Sequence, residues 1–127
     1  MRVALLSAAL SLGLAACSQP AEAPPPAKAE PRALAGVDLD QPVRALGTEP
    51  FWAVEITPQT LIYSGVDRSE QKAANPGPTL QGTVATWKAR TEAGADLAVT
   101  LTATDCSDGM SDRTYPLTAK VEIAGEA

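Results

Sequence analysis

The chain of 127 residues contains no histidine. That absence removes the commonest general base, every Ser-His-Asp or Cys-His arrangement, and most catalytic zinc sites. Aromatic residues are also scarce, with one Phe, two Trp and two Tyr, so we expect each of them to be a core anchor. No helical apolar period of useful length appears in the part predicted to fold. We therefore predict a protein that is not an enzyme, with no catalytic residue and no cofactor.

Basic residues are fewer than acidic ones, and the formal net charge is −5 at pH 7. An acidic surface repels nucleic acid and anionic lipid headgroups, so we expect no nucleic-acid partner. A cationic protein of the envelope or of a host is compatible with this charge. Ordinary solubility explains the same excess of carboxylates without any partner.

The first 16 residues read as a secretory signal peptide. Arg2 supplies the positive charge, and the uncharged apolar run over residues 3–14 is shorter than the roughly 20 residues that span a bilayer. The run ends in Leu14-Ala15-Ala16-Cys17, which resembles the lipobox of bacterial lipoproteins. The resemblance implies cleavage before Cys17 and acylation of Cys17, which would anchor the chain in a membrane. With Ser18 next rather than aspartate, it implies the periplasmic side of the outer membrane in a Gram-negative host.

Residues 17–41 are predicted to be the lipidated cysteine followed by a disordered linker. Prolines at 20, 24, 25, 26 and 31 remove backbone donors, and no apolar period is present. Such a segment serves as a spacer between a membrane and a folded domain.

Residues 42–127 are predicted to form one small all-β domain. Trp52, Val54 and Ile56 alternate with polar positions, and after a turn at 57–60 the segment 61–64 returns as the second strand of a hairpin. Residues 65–78 read as a loop. Further strands are predicted within 79–90, 96–104 and 117–123. About six strands at this spacing indicate a small antiparallel barrel or sandwich.

The stretch 105–116 carries the densest polar chemistry of the chain. Its aspartates are spaced three and four apart, and no glutamate follows at the twelfth place, so the calcium-loop pattern is not met and we predict no metal site. Aspartate and serine side chains are expected to bond nearby backbone amides, with Gly109 in a left-handed conformation. Arg113 is expected to pair with a neighbouring carboxylate. The candidate binding residues are Asp105, Asp108, Ser111, Asp112, Arg113 and Tyr115.

Cys106 has no partner within the chain if Cys17 carries lipid. It is either a buried inert thiol, one half of an intermolecular bridge, or one half of a disulfide whose second cysteine is missing. A redox-catalytic role would require a nearby cation and exposure, which the flanking aspartates do not favour.

Two motifs together resemble a family of small bacterial envelope proteins, usually lipoproteins and described as predicted membrane proteins. The first is Gly47-Thr48-Glu49-Pro50-Phe51-Trp52, and the second runs from Cys106-Ser107-Asp108-Gly109-Met110-Ser111-Asp112 to Tyr115-Pro116. The resemblance covers roughly residues 43–127. Relatives can carry META-type or lysozyme-inhibitor-type β domains on the same chain.

This resemblance implies a protein-binding role in the envelope, with inhibition of a cationic lysozyme as the leading specific hypothesis. A structural or stress-related envelope component, or a binder of a small ligand or metal, are the alternatives. Family members typically continue to a Gly-Cys whose cysteine looks like the partner of Cys106. The present sequence stops at Ala127 before such a residue, so we expect a domain that is truncated or lacks this bridge.

Overall fold

The computed structural model describes residues 32–127, and within them every regular element is a β-strand. The predicted signal peptide, the lipidation site at Cys17 and the first part of the linker lie outside the described residues. Within residues 32–127 there is no helix of the length and apolarity needed to cross a membrane.

Two four-stranded antiparallel sheets and two short hairpins make up the fold. The first sheet has the order β3-β4-β5-β6 and the second the order β12-β9-β8-β7, while β1 pairs with β2 and β10 with β11. The strands are β1 (Ala33–Leu34), β2 (Val37–Asp38), β3 (Val43–Thr48), β4 (Phe51–Ile56), β5 (Thr60–Gly65), β6 (Gln71–Ala74), β7 (Thr79–Gln81), β8 (Val84–Arg90), β9 (Asp96–Thr102), β10 (Cys106–Ser107), β11 (Thr114–Tyr115) and β12 (Thr118–Ile123).

The arrangement is sandwich-like, and the described strands do not close into a barrel. At one side the sheets touch through β6 and the residues after β8, where Ala73 bridges to Thr91 and the Glu92 N–H donates to the Lys72 carbonyl at 2.8 Å. At the other side β3 and β12 approach each other without forming a ladder. Of the two architectures expected from the sequence, the sandwich is therefore the one observed.

The core lies between the inward faces of the two sheets. Val54, Ile56 and Leu61 of the first sheet and Trp87 and Val99 of the second are at most 1% exposed. Each belongs to a strand in which buried and exposed positions alternate, as the two-residue period of a strand requires. The remaining buried hydrophobic residues are Leu34, Leu39, Ala45, Tyr63, Ala73, Ala85, Leu97, Leu101, Val121 and Ile123.

The predicted hairpin is confirmed as β4 and β5, with the Thr57 hydroxyl and the Thr60 N–H bonded across the turn at 3.0 Å. The predicted strands within 79–90, 96–104 and 117–123 are also present. The number of strands is larger than the six expected. Part of the predicted loop forms β6, because the segment Gln71–Ala74 pairs with β5 although its own residues have little β propensity.

The domain begins earlier than the sequence indicates. Residues 32–41, predicted as part of the disordered linker, contain the hairpin β1–β2, whose turn residues Ala35 and Gly36 have φ of 48° and 79°. Two positive φ values in a two-residue turn match the twist of antiparallel strands. Leu34 and Leu39 are each only 5% exposed, so residues 32–41 belong to the folded domain and the predicted start at residue 42 is too late.

Two further side-chain contacts stabilise the first hairpin and the segment that follows β5. The Arg32 guanidinium donates to the Asp40 carboxylate at 2.6 Å and 2.9 Å, which ties the two ends of the first hairpin together. The Tyr63 hydroxyl donates to Asp67 at 2.7 Å, and burial together with this carboxylate raises the pKa of Tyr63 to about 12. The hydrogen bond from Tyr63, followed by that from Arg68, lowers the pKa of Asp67.

The expectation that every aromatic residue anchors the core is wrong for Phe51, whose side chain is 57% exposed. Tyr63 and Trp87 are buried as expected, whereas Trp52 and Tyr115 are only partly buried. Those three less buried aromatic residues all lie at the open side of the sandwich, where β3 approaches β12.

Candidate functional site: a cleft at the open side of the sandwich

A cleft of about 370 Å³ lies where β3 and β12 approach without pairing. All six residues of β3 line one wall, and Pro116, Leu117 and Ala119 line the other. The hairpin β10–β11 closes one end, since Cys106, Ser107, Asp108 and Tyr115 also line the cleft. The two sequence motifs, more than 50 residues apart in the chain, therefore meet at one place.

Trp52 forms part of the cleft wall, and Gly47 makes room for its indole. In the register of the sheet, Trp52 lies directly between Gly47 of β3 and Gly65 of β5. A Cβ atom at position 47 would overlap the indole ring of Trp52, so glycine is required for this packing. The first motif thus has a structural reason, because an indole can lie against a strand neighbour that has no side chain.

An apolar rim adjoins the cleft on the outer face of the first sheet. Of the five large hydrophobic residues that are exposed within residues 32–127, four line a second, shallower groove of about 540 Å³. They are Leu46, Phe51, Val66 and Met110, which are 42%, 57%, 74% and 67% exposed. We refer to these four side chains as the apolar rim. Exposed apolar side chains that cluster in this way mark interaction surfaces more often than scattered ones do.

The loop between β10 and β11 is held together by Asp108. One carboxylate oxygen accepts from the Met110 N–H at 2.9 Å and the Ser111 N–H at 2.8 Å, and the other accepts from the Ser111 hydroxyl at 2.8 Å. The backbone bonds, that from Met110 first, lower the pKa of Asp108 and keep it ionised. Gly109 has a φ of 71°, as the turn predicts. The carboxylate therefore shapes the loop that carries Met110 into the rim.

The predicted binding residues fall into two groups. Asp108 and Tyr115 line the cleft and the adjoining groove. Asp105, Ser111, Asp112 and Arg113 are exposed and line neither. Within residues 32–127 Arg113 forms no ion pair, so the pairing expected with Asp108 or Asp112 is not observed.

Sequence reasoning missed the rim residues and the edge of β3. Leu46, Phe51 and Val66 lie at positions that the strand period places on the outward face, where an isolated sequence predicts solvent rather than a partner. One signal was available in the sequence: Phe51 and Trp52 are adjacent in a predicted strand. Adjacent strand residues cannot both face the core, so one of these two aromatic side chains must lie on the outer face.

Cys106 is partly buried and lies directly across from Tyr115 in the β10–β11 hairpin. It forms no disulfide within residues 32–127, and its thiol is 3.5 Å from the Ser107 carbonyl oxygen. Because it lines the cleft and Cys17 is the only other cysteine in the chain, Cys106 is a natural position for a reporter group.

No group of three or more acidic, histidine or cysteine side chains in residues 32–127 is placed to hold a metal ion. The Asp108 oxygens accept bonds from the loop itself. The described residues thus offer an apolar cleft with a half-buried indole, an exposed apolar rim and an ionised loop.

Comparisons of the chain with protein-family models, with curated proteins and with solved structures find no match.

Proposed function

We propose that the protein is a lipid-anchored binding protein on the periplasmic side of the bacterial outer membrane. In this proposal Cys17 carries the acyl chains, and the β domain binds a cationic protein through the cleft and the apolar rim. No catalytic step is part of the role. A lysozyme is the leading specific partner, as the resemblance of the two motifs implies.

The observation that carries the proposal is that one groove collects four of the five large hydrophobic residues exposed in the described part of the chain. Aromatic and methionine side chains are enriched in protein interfaces, and the rim contains one of each, Phe51 and Met110. The charge supports a cationic partner, since the stretch 105–113 carries three aspartates against one arginine. Unlike charges on the two surfaces would accelerate association and select the partner.

The test uses the chain from Ser18 to Ala127, which omits only the signal peptide and the residue expected to carry lipid. Added at about 10 µM, it should slow the lysis of a cell-wall suspension by hen lysozyme, because a micromolar affinity already occupies most of the enzyme. Phe51→Ser should weaken the inhibition by about tenfold or more, as expected for a central apolar contact. The matched control is Leu80→Ser, which alters an exposed large hydrophobic residue that lies outside the rim.

No inhibition by the unaltered chain at that concentration would end the lysozyme hypothesis. Equal inhibition by the Phe51→Ser and Leu80→Ser variants would show that lysozyme binds elsewhere on the surface. Lipidation is tested separately by mass spectrometry of the mature protein from cells, which should show acyl groups on Cys17 as the first residue.

A second function is favoured by the cleft itself, whose volume of about 370 Å³ lies in the range of small-ligand pockets. Trp52, Leu101 and Leu117 would contact an apolar ligand of this size. Titration with an apolar dye such as 1-anilinonaphthalene-8-sulfonate should then slow the modification of Cys106 by a maleimide. An unchanged rate at saturating dye would eliminate this function, and calorimetry with calcium and copper tests the metal alternative.

A further inference from the structure

Each sheet has two edges, and three of the four edges are short, covered or charged. β6 is covered by its contacts with residues 91 and 92. β7 has only three residues, and β12 carries the ion pair of Lys120 with Glu122 and is bridged at its end by Glu126. Short length, charges and covering are the usual means by which proteins prevent unwanted pairing at a sheet edge.

β3 is the edge without that protection. It has six residues, and within the described chain its backbone pairs with β4 alone. Its single charged residue is Arg44, and the exposed side chain of Leu46 lies at its centre. No described strand covers this edge, which forms a wall of the cleft along its whole length.

The ladder shows which backbone groups of β3 are free. At the end of the β4–β5 hairpin, the Thr57 N–H donates to the Thr60 carbonyl at 2.9 Å, so the backbone groups of Thr57 point towards β5. The direction of the backbone groups alternates along a strand. The odd-numbered residues of β4 therefore bond to β5, and the even-numbered ones bond to β3. In the register of the first sheet, even-numbered residues of β4 face odd-numbered residues of β3. The N–H and C=O groups of Arg44, Leu46 and Thr48 are therefore directed away from β4.

A strand added at this edge would find apolar surface on both of its faces. Strand neighbours lie about 4.8 Å apart, and the cleft occupies this position beside β3. Residues opposite Leu46 would lie on the outer face, beside the apolar rim. The residues between them would point into the cleft, towards Trp52 and Leu117. The nearby loop presents the ionised Asp108 to a basic side chain.

We propose that the edge of β3 binds an extended segment of a partner protein as a fifth, antiparallel strand of the first sheet, in keeping with the antiparallel ladders of that sheet. The segment has apolar side chains at every second position, which enter the cleft, and at least one basic residue between them, which faces the acidic loop. This inference rests on the proposed protein-binding function and specifies its mode. Backbone hydrogen bonds supply affinity in such complexes, and pockets for alternate side chains supply specificity.

The experiment uses a synthetic seven-residue peptide in which three valines alternate with lysine and threonine, and the chain from Ser18 to Ala127. Two derivatives carry N-methyl groups, one on the valines and the other on the lysine and threonine residues. Methylation of the lysine and threonine amides should weaken binding by about tenfold or more, since these N–H groups would bond to β3. Methylation of the valines should change the affinity by less than about twofold, because their N–H groups point away from β3.

The protein offers a matched pair of variants at one position. Leu46→Pro removes an outward N–H without disturbing the β3–β4 ladder, and edge strands accept proline at such a position. This variant should bind the peptide about tenfold more weakly. Leu46→Ala keeps the N–H and should lose less of the affinity for the peptide. The peptide should also slow the modification of Cys106. The methylated peptides keep the test valid even if the proline variant does not fold.

No binding of the parent peptide at about 1 mM, far weaker than strand-addition complexes, overturns the inference. Equal affinities for the two methylated peptides also overturn it. Lysozyme inhibition that persists alongside either result leaves the proposed function intact and removes only strand addition. If the chain does not inhibit lysozyme but the peptides show the expected preference, the lysozyme hypothesis fails and strand addition stands, since the edge then binds a partner other than lysozyme.

Discussion

Replacing Leu39 with alanine tests whether the first hairpin belongs to the folded domain. The Leu39 side chain is 5% exposed in the core, and its N–H donates to the Arg32 carbonyl at 2.7 Å. Truncating a buried leucine typically lowers the free energy of unfolding by about 2–5 kcal/mol. The lower part of this range applies here, because a short two-stranded hairpin can relax into the space left by the lost methyl groups.

We therefore expect Leu39→Ala to destabilise the domain by about 2–3 kcal/mol, out of a total of about 5–15 kcal/mol for a domain of this size. That loss corresponds to a fall of roughly 10–20 °C in Tm. Urea unfolding followed by tryptophan fluorescence measures it, with the midpoint compared at constant slope. Leu80→Ala is the control, since Leu80 is 38% exposed on a strand at the far edge.

If Leu39→Ala and Leu80→Ala shift the urea midpoint equally, the packing of the hairpin against the core is refuted. A chain that starts at residue 42 provides the independent check. It should be less stable than a chain that starts at residue 32 by more than the single substitution, because Leu34 is lost as well.

Three further predictions concern other parts of the domain. Raising the pH from 10 to about 12 should destabilise the domain by about 3 kcal/mol, because the pKa of Tyr63 is raised to about 12. The stability that is present below the ordinary pKa of 10 is lost as the phenol ionises. Tyr63→Phe should remove this part of the alkaline loss in urea titrations, and an unchanged loss would contradict the prediction. Gly47→Ala should displace the indole of Trp52, so that in an NMR spectrum one of the two indole N–H signals moves and the other stays, whereas two unmoved signals would disprove the overlap. Asp108→Ala should accelerate hydrogen exchange at the Met110 and Ser111 amides by about tenfold or more while core amides are unaffected, and unchanged exchange at both would show that the carboxylate does not hold the loop.

Alternation predicted the sandwich core well. Val54 and Ile56 in β4, and Leu97 and Val99 in β9, are buried at the positions that the two-residue period indicated. These strands lie in the middle of their sheets, so one face of each strand must pack against the opposite sheet. Local pattern is therefore sufficient to assign them.

The first hairpin and β6 could not be predicted in this way. Leu34 and Leu39 lie in a short, proline-adjacent segment without a clear two-residue apolar period, and only the tertiary fold provides the surface that buries them. The segment Gln71–Ala74 becomes a strand because β5 on one side and residues 91–92 on the other supply its hydrogen bonds. In both cases long-range contacts override weak local preference.

The candidate site was visible in the sequence only as two separate motifs. Their meeting depends on the order of the strands, which places β3 at one edge and β12 with its preceding hairpin at the other. Alternation assigns a residue to one of two faces but does not say which outer face another molecule covers. Phe51 and Val66 were therefore assigned to no site, although their exposure is the strongest sign of one.

The packing of Trp52 explains why an open cleft persists in a domain with so few aromatic residues. Its inward position and its two glycine neighbours would allow a fully buried anchor, yet the indole remains partly exposed in the wall of the cleft. Pairing of another strand with β3 would cover this remaining part of the indole. The outward N–H and C=O groups of β3 would then be satisfied as well, so the addition of one strand beside β3 would meet both needs at once. A partner segment that fills this position would gain hydrogen bonds and apolar contact together, whereas a ligand that only fills the cleft would leave the backbone groups to water.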